Sequence, residues 1–144
     1  MTEFYVAVGD GTTFSKTVGE SDVYLFAGIT GDLAPNHVNK AYMARTRYKR
    51  LIAHGALLIG FMSTTSTLAA AHYRHGMDEV AVSLGYDRVR FLAPVYIGDT
   101  VTVDYRISSI DTQRRRATAD INMKNQDGTL VAVAIHHLKW VKNE

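Results

Sequence analysis

Apolar and polar positions change period clearly after the longest apolar stretch of the chain. From Gly55 to Ala71 the residues Leu57, Leu58, Phe61, Met62, Leu68 and Ala69 recur at helical spacing. The polar positions among them, Ser63, Thr64, Thr65, Ser66 and Thr67, are small and uncharged. A helix without charge over this stretch is expected to be buried over much of its circumference. Its β-branched threonines make it a mediocre helix by propensity alone, so tertiary packing must stabilise it. After Asp78 the period falls to two. Val80, Val82 and Leu84 alternate with smaller or polar neighbours, as do Val101, Val103 and Tyr105, then Ala117, Ala119, Ile121 and Met123. Asp127-Gly128 predicts a hairpin turn, and a last strand begins with Val131, Val133 and Ile135 and runs to about Val141. Ahead of the long helix, Thr12 to Val18 predicts a first strand. Ser21 is expected to cap a short helix carrying Val23, Leu25, Phe26 and Ile29, which stops near Thr30-Gly31. Gly31 to Asn39 reads as a turn stiffened by Pro35, followed by a short helix from Asn39 to about Tyr48. One strand, helices including a long apolar one, then a run of antiparallel strands is an α+β order. A sheet wrapped around a single central helix is the natural way to hide that helix.

Bulk properties narrow the function without choosing it. The 144 residues carry no linker, repeat or low-complexity stretch, so one domain over residues 1–144 is expected. Apolar residues make up 47% and charged residues 21%, and no apolar run approaches the ~20 residues of a membrane-spanning helix. Met1 to Asp10 has no basic segment followed by an apolar one, so no signal peptide is expected and the cytoplasm is the expected location. There are no cysteines, which removes disulfides, thiolate nucleophiles and cysteine zinc sites together. A formal charge of +2 is too small to point to nucleic acid. The basic runs Arg45, Arg47, Lys49, Arg50 and Arg114, Arg115, Arg116 read mainly as solvated faces, with contact to an anionic group as the other reading.

Six histidines are the first candidates for chemistry. His72 and His75 lack a convincing third ligand, so no metal site is expected. His136 and His137 are adjacent on a strand and point to opposite faces, one packed and one exposed. His37 differs through its neighbours: Asp32 lies five residues before it, and Pro35 rigidifies the turn between. A carboxylate and an imidazole from one stiff turn can act on the same water, and imidazole exchanges protons near neutral pH. The competing reading makes Asp32 a helix cap and His37 a packing residue. The second candidate is His54-Gly55, at the start of the long helix. Backbone N–H groups there have no intrahelical partner and carry partial positive charge, and glycine allows a close approach to them. Such a terminus suits a carbonyl oxygen that gains charge during reaction. Ser63, two turns on, can reach the same space or simply pack.

Three ordered segments carry a resemblance. Phe26-Ala27-Gly28-Ile29-Thr30-Gly31-Asp32-Leu33-Ala34-Pro35-Asn36-His37-Val38-Asn39 resembles the hydratase motif of the MaoC-like dehydratases, which include the (R)-specific enoyl-CoA hydratases. Ile52-Ala53-His54-Gly55 resembles the entry to that family's central helix, and Arg90 to Thr100 its strand-turn signature. The resemblance implies a single hot-dog domain, an antiparallel sheet around a long helix. It implies a hydro-lyase that adds water reversibly to an enoyl thioester, giving the (R)-3-hydroxyacyl product without a cofactor. Asp32 and His37 would be the catalytic pair, Gly55 the backbone donor to the thioester oxygen, and Ser63 and His54 supporting residues. The substrate would be a coenzyme A or acyl carrier protein thioester, and the chain a homodimer or a higher homo-oligomer, with no nucleic-acid or membrane partner. The sequence departs from the pattern at Ala34, Asn36 and Asn39, and Asn36 beside the histidine suggests a polar or short acyl group. Two other readings of the same fold are an acyl-CoA thioesterase and a non-catalytic acyl-thioester-binding accessory subunit.

Overall fold

The period-two stretches pair in antiparallel fashion into one sheet, and the long apolar helix lies across it. The computed structural model of the chain describes residues 4–71 and 78–143. In chain order the elements are β1 (Gly11–Thr17), α1 (Glu20–Thr30), α2 (Pro35–Val38), α3 (Lys40–Ala44), α4 (Gly55–Ala71), β2 (Glu79–Phe91), β3 (Thr100–Asp111), β4 (Arg116–Lys124) and β5 (Leu130–Lys142). The sheet order is β1-β3-β4-β5-β2, and every neighbouring pair is antiparallel. Two register shifts, at Ser83/Gly85 and Asp87/Arg90, bend β2 against β5.

Helix α4 lies against β1 and β3. Its Leu58, Phe61, Met62, Thr65, Ser66 and Ala69 are buried, and the apolar members among them join a core that includes Val101, Val103, Tyr105, Ile121 and Met123. Each such aliphatic side chain taken fully out of water contributes about 1.5–3 kcal/mol. Thr65 satisfies its buried hydroxyl by donating to the Phe61 carbonyl at 2.8 Å. The other face of α4 is exposed in the single chain, at Ser63, Thr64, Thr67 and Leu68. The helix is therefore buried on one side, less than its lack of charge suggests. An uncharged exposed face is the reason the sequence pattern overstates its burial.

Two helix boundaries also differ from expectation. Helix α1 is capped at Gly19, because the Asp22 carboxylate accepts the Gly19 N–H at 2.8 Å and closes the first turn earlier than Ser21 would. It stops where expected: Gly31 is left-handed (φ 81°) and its N–H donates to the Ala27 carbonyl at 2.9 Å. Within the turn after it, Pro35–Val38 folds into one helical turn with proline at its start. Helix α3 begins on the Asn39 cap, whose side chain accepts the Tyr42 N–H, but ends at Ala44, short of Tyr48. The sequence Arg45 to Arg50 leaves the helix there, and Lys49 adopts a positive φ. His72 and His75 lie outside the described residues.

The segment between α3 and α4 sets where the long helix starts. Ile52 bridges Tyr96 in an isolated antiparallel pair, and the Ala53 N–H donates to the Val95 carbonyl at 2.8 Å. The Pro94–Asp99 turn is itself held from inside: buried Asp99 accepts the Tyr96 N–H at 2.9 Å and the Gln126 side-chain N–H at 2.8 Å. Among the described residues, no helix is long and apolar enough to cross a membrane.

Candidate active site

The α1–α2 turn and the segment leading into α4 meet, and three titratable side chains come together. The ligand-type atoms of Asp32, His37 and His54 all lie within 4.8 Å of one another. His37 and His54 are buried, and Asp32 is exposed. The turn is shaped by short local bonds. The Asp32 N–H donates to the Thr30 hydroxyl at 3.2 Å, and one Asp32 carboxylate oxygen accepts the Ala34 N–H at 3.3 Å. Asp32 thus braces its own turn without capping α2, whose cap position is Ala34. The second carboxylate oxygen remains available.

Backbone carbonyls assign both imidazoles. His37 Nδ1 lies 2.7 Å from the Ile52 carbonyl oxygen. A carbonyl only accepts, so Nδ1 carries the proton and Nε2 of the neutral ring is left with a lone pair. The same Ile52 donates its N–H to the Asn36 carbonyl at 2.9 Å, so one residue grips the turn twice. His54 Nε2 donates to the Asp32 carbonyl at 3.0 Å. Its ring stacks on His37 at 3.7 Å between centroids and touches Phe26 at 4.7 Å. His54 Nδ1 is buried without a hydrogen-bond partner. One nitrogen of each ring is committed to a backbone carbonyl, and the two rings stack 23° from parallel.

Gly55 follows His54 directly and opens α4. Its N–H has no backbone acceptor among the described residues. The Phe91 ring covers the glycine so closely that a Cβ there would stand 2.5 Å from a ring carbon. Only glycine keeps both the ring and an accessible peptide at this helix start. Asn36 is half-buried beside His37. Ser63 is exposed two turns along α4, near the Tyr86 hydroxyl, and within one chain it does not join the cluster.

A second buried polar group lies deeper under the sheet. His136 accepts or donates at both nitrogens, 2.7 Å from the Tyr105 hydroxyl and 2.7 Å from the Ser83 hydroxyl, and stacks on Tyr86 at 4.4 Å. Burial lowers its pKa to about 4, with the neighbouring His137 adding to the shift, and burial raises Tyr105 to about 12. Its neighbour His137 faces outward and contacts Asp87 at 2.8 Å, so the pair is divided between the two faces as strand alternation predicts. Sequence reasoning did not find the Phe26, Phe91 and Tyr86 contacts. Aromatic residues within apolar runs carry no mark of which histidine or glycine they will cover.

The family model of the MaoC like domain matches residues 6–127. The chain belongs to this MaoC-like family of hydratases and dehydratases. An (R)-specific enoyl-CoA hydratase of Rhodospirillum rubrum is 39% identical over 110 residues, covering 76% of this chain and 72% of that protein. One of the same description from Aeromonas caviae is 30% identical over 123 residues, covering 85% of this chain and 87% of that one. The solved structure of the A. caviae (R)-hydratase involved in PHA biosynthesis superposes with a TM-score of 0.81 at 28% identity, covering 93% of this chain and 96% of that one. The MaoC-like chain thus has the hot-dog fold that its sequence motifs suggest.

Proposed function

We propose that this MaoC-like chain hydrates an enoyl thioester reversibly, with Asp32 and His37 acting on the water and the N-terminus of α4 acting on the thioester oxygen. The observation that carries the reading is the His37 geometry. With Nδ1–H fixed on the Ile52 carbonyl, Nε2 is the free basic atom, and it shares one small space with the Asp32 carboxylate. Water held by the two groups gives its oxygen to the β-carbon. One proton leaves the water and one reaches the α-carbon, so the elements of water add across the double bond. As the double bond is attacked, charge moves onto the thioester oxygen. The free N–H of Gly55, reinforced by the helix dipole, is the donor for that oxygen; one such donor contributes roughly 3–4 kcal/mol to catalysis. The thioester itself stabilises the carbanion, so no cofactor takes part in the proposal. The names of the relatives favour coenzyme A as the carrier and the (R)-3-hydroxyacyl product. A homodimer completes the reading, with His54 and Ser63 as supporting residues. Asn36 beside His37 favours a short or polar acyl group.

The test is hydration of a short enoyl-CoA, followed by loss of its conjugated-thioester absorbance. Wild type is expected to turn over, and Asp32→Asn and His37→Ala, both folded, to fall by at least ~10². An inert wild type across short and long chains would overturn the reading. Release of free thiol from a saturated acyl-CoA would replace it with a thioesterase, although α4 contains no Asp or Glu to serve one.

A further inference from the structure

The two basic runs of the sequence end in different electrostatic states. In the second run Arg115 is ion-paired with Glu79 and Arg114 lies 3.9 Å from Asp111, so among the described residues only the exposed Arg116 has no carboxylate within 4.0 Å. Among the described residues, Arg45, Arg47, Lys49 and Arg50 have no carboxylate within 4.0 Å. All four are exposed. Two of them are nevertheless held in place. Arg47 lies 4.8 Å over the Tyr48 ring and donates to its hydroxyl at 2.8 Å, and Arg50 lies 3.9 Å over the Tyr96 ring. Lys49, at φ 66°, turns the chain between them, and its Nζ is 3.5 Å from the Ala44 carbonyl. A guanidinium stacked on a ring keeps in-plane N–H groups for a planar or tetrahedral oxyanion, and its orientation is settled before the anion arrives.

Two of these cations, Lys49 and Arg50, line a cleft of about 380 Å³, where with Lys40 they surround the apolar Leu51 and Ile97. The one carboxylate there, Glu20, is already engaged by Lys40. The run is also tied to the site. Arg50 is two residues from Ile52, whose carbonyl orients His37, and the ring under Arg50 belongs to Tyr96, the bridge partner of Ile52. The five residue steps from Arg50 to Gly55 span at most ~18 Å, within reach of an extended pantetheine arm.

We propose that Arg47, Lys49 and Arg50 hold the phosphates at the nucleotide end of a coenzyme A thioester whose acyl end lies at Asp32, His37 and Gly55. The inference rests on the hydratase reading for its acyl end, but the nucleotide end is testable by itself. It assigns a second binding determinant, one that reads the nucleotide's phosphates and is indifferent to the acyl group.

The experiment uses the full chain and an Arg47→Gln/Lys49→Gln/Arg50→Gln variant, with Arg114→Gln, beside Asp111, as control. Binding of adenosine 3′,5′-bisphosphate is measured by calorimetry. Hydration of an enoyl-CoA is compared with hydration of the same enoyl group on N-acetylcysteamine, which has no phosphate. The triple variant is expected to bind the bisphosphate at least ~10-fold more weakly. Its ratio of kcat/KM for the two thioesters should fall by a similar factor, with the difference shrinking at high salt. Equal binding by wild type and variant overturns the proposal. So does a variant that loses only carrier-protein-linked substrates, which would make the patch a protein-docking surface. A wild type that hydrates neither thioester but loses bisphosphate binding on substitution would sink the hydratase reading and leave the nucleotide site standing.

Discussion

At His54 one imidazole joins two chain segments: its ring stacks on His37 and its Nε2–H holds the Asp32 carbonyl, while its Nδ1 is buried without a partner. An unpartnered buried nitrogen costs about 1–3 kcal/mol, so this residue is retained at the expense of stability. His54→Phe keeps an aromatic face and removes both nitrogens. The variant is expected to be at least as stable as wild type in urea, and ~10-fold or more slower in hydration, because the Asp32 turn loses its tie. Wild-type rates in a folded His54→Phe chain would show that the tie is dispensable. His136 makes the opposite case, a histidine whose neutral form is satisfied. Its folded pKa of about 4 lies below the ordinary value of 6.5, chiefly through burial. Between those two values the unfolded chain binds more protons, so stability falls as pH drops from about 6.5 and the loss saturates below about 4. The full effect is on the order of 3 kcal/mol. Thermal unfolding followed from pH 7 to pH 4 should show a steeper decline for wild type than for His136→Gln; parallel curves would refute the assignment.

At the scale of elements, Asp99 links three pieces: the turn before β3, the end of β1 through the Val18 N–H on its carbonyl (2.8 Å), and the β4–β5 connection through Gln126. Asp99→Ala leaves the Tyr96 N–H and the Gln126 amide without their acceptor. The expected loss is about 1–3 kcal/mol in chemical unfolding, chiefly for the half-buried Tyr96 N–H, since the exposed Gln126 amide turns to water; a loss below about 1 kcal/mol would mean water replaces the carboxylate. How much of this was legible in the sequence follows from range. Helix α4 was legible from its start because its apolar spacing is local and Gly55 marks that start. The Asp32–His37 pair was legible because both lie on one proline-stiffened turn. The stacking of His54 on His37 was not, since those residues are seventeen positions apart and meet only because Ile52 bridges Tyr96. The cap of α1 fell to Gly19 over Ser21 for a local reason. A backbone N–H reaching the Asp22 carboxylate outweighs the intrinsic preference for serine.

Across the whole molecule, the sheet ends in two edges, β1 and the thirteen-residue β2. An open edge of that length invites pairing. The exposed side of α4 is uncharged, with Leu68 exposed there and Leu84 exposed on β2. Self-association is expected to cover this side, in the closed two-fold form common among homo-oligomers. Light scattering after size exclusion should give twice the chain mass, and Leu68→Lys/Leu84→Lys should shift it toward the single chain. A wild-type monomer at micromolar concentration would contradict this. Asp32, His37, His54 and Gly55 all come from one chain. On the proposed hydratase reading, each subunit of a pair then keeps its own Asp32–His37 couple and Gly55 donor, and an Asp32→Asn copy leaves its neighbour's couple whole. Cells holding equal amounts of intact and Asp32→Asn chains would keep half their capacity, and two alleles broken at Asp32 and at His37 would never complement each other.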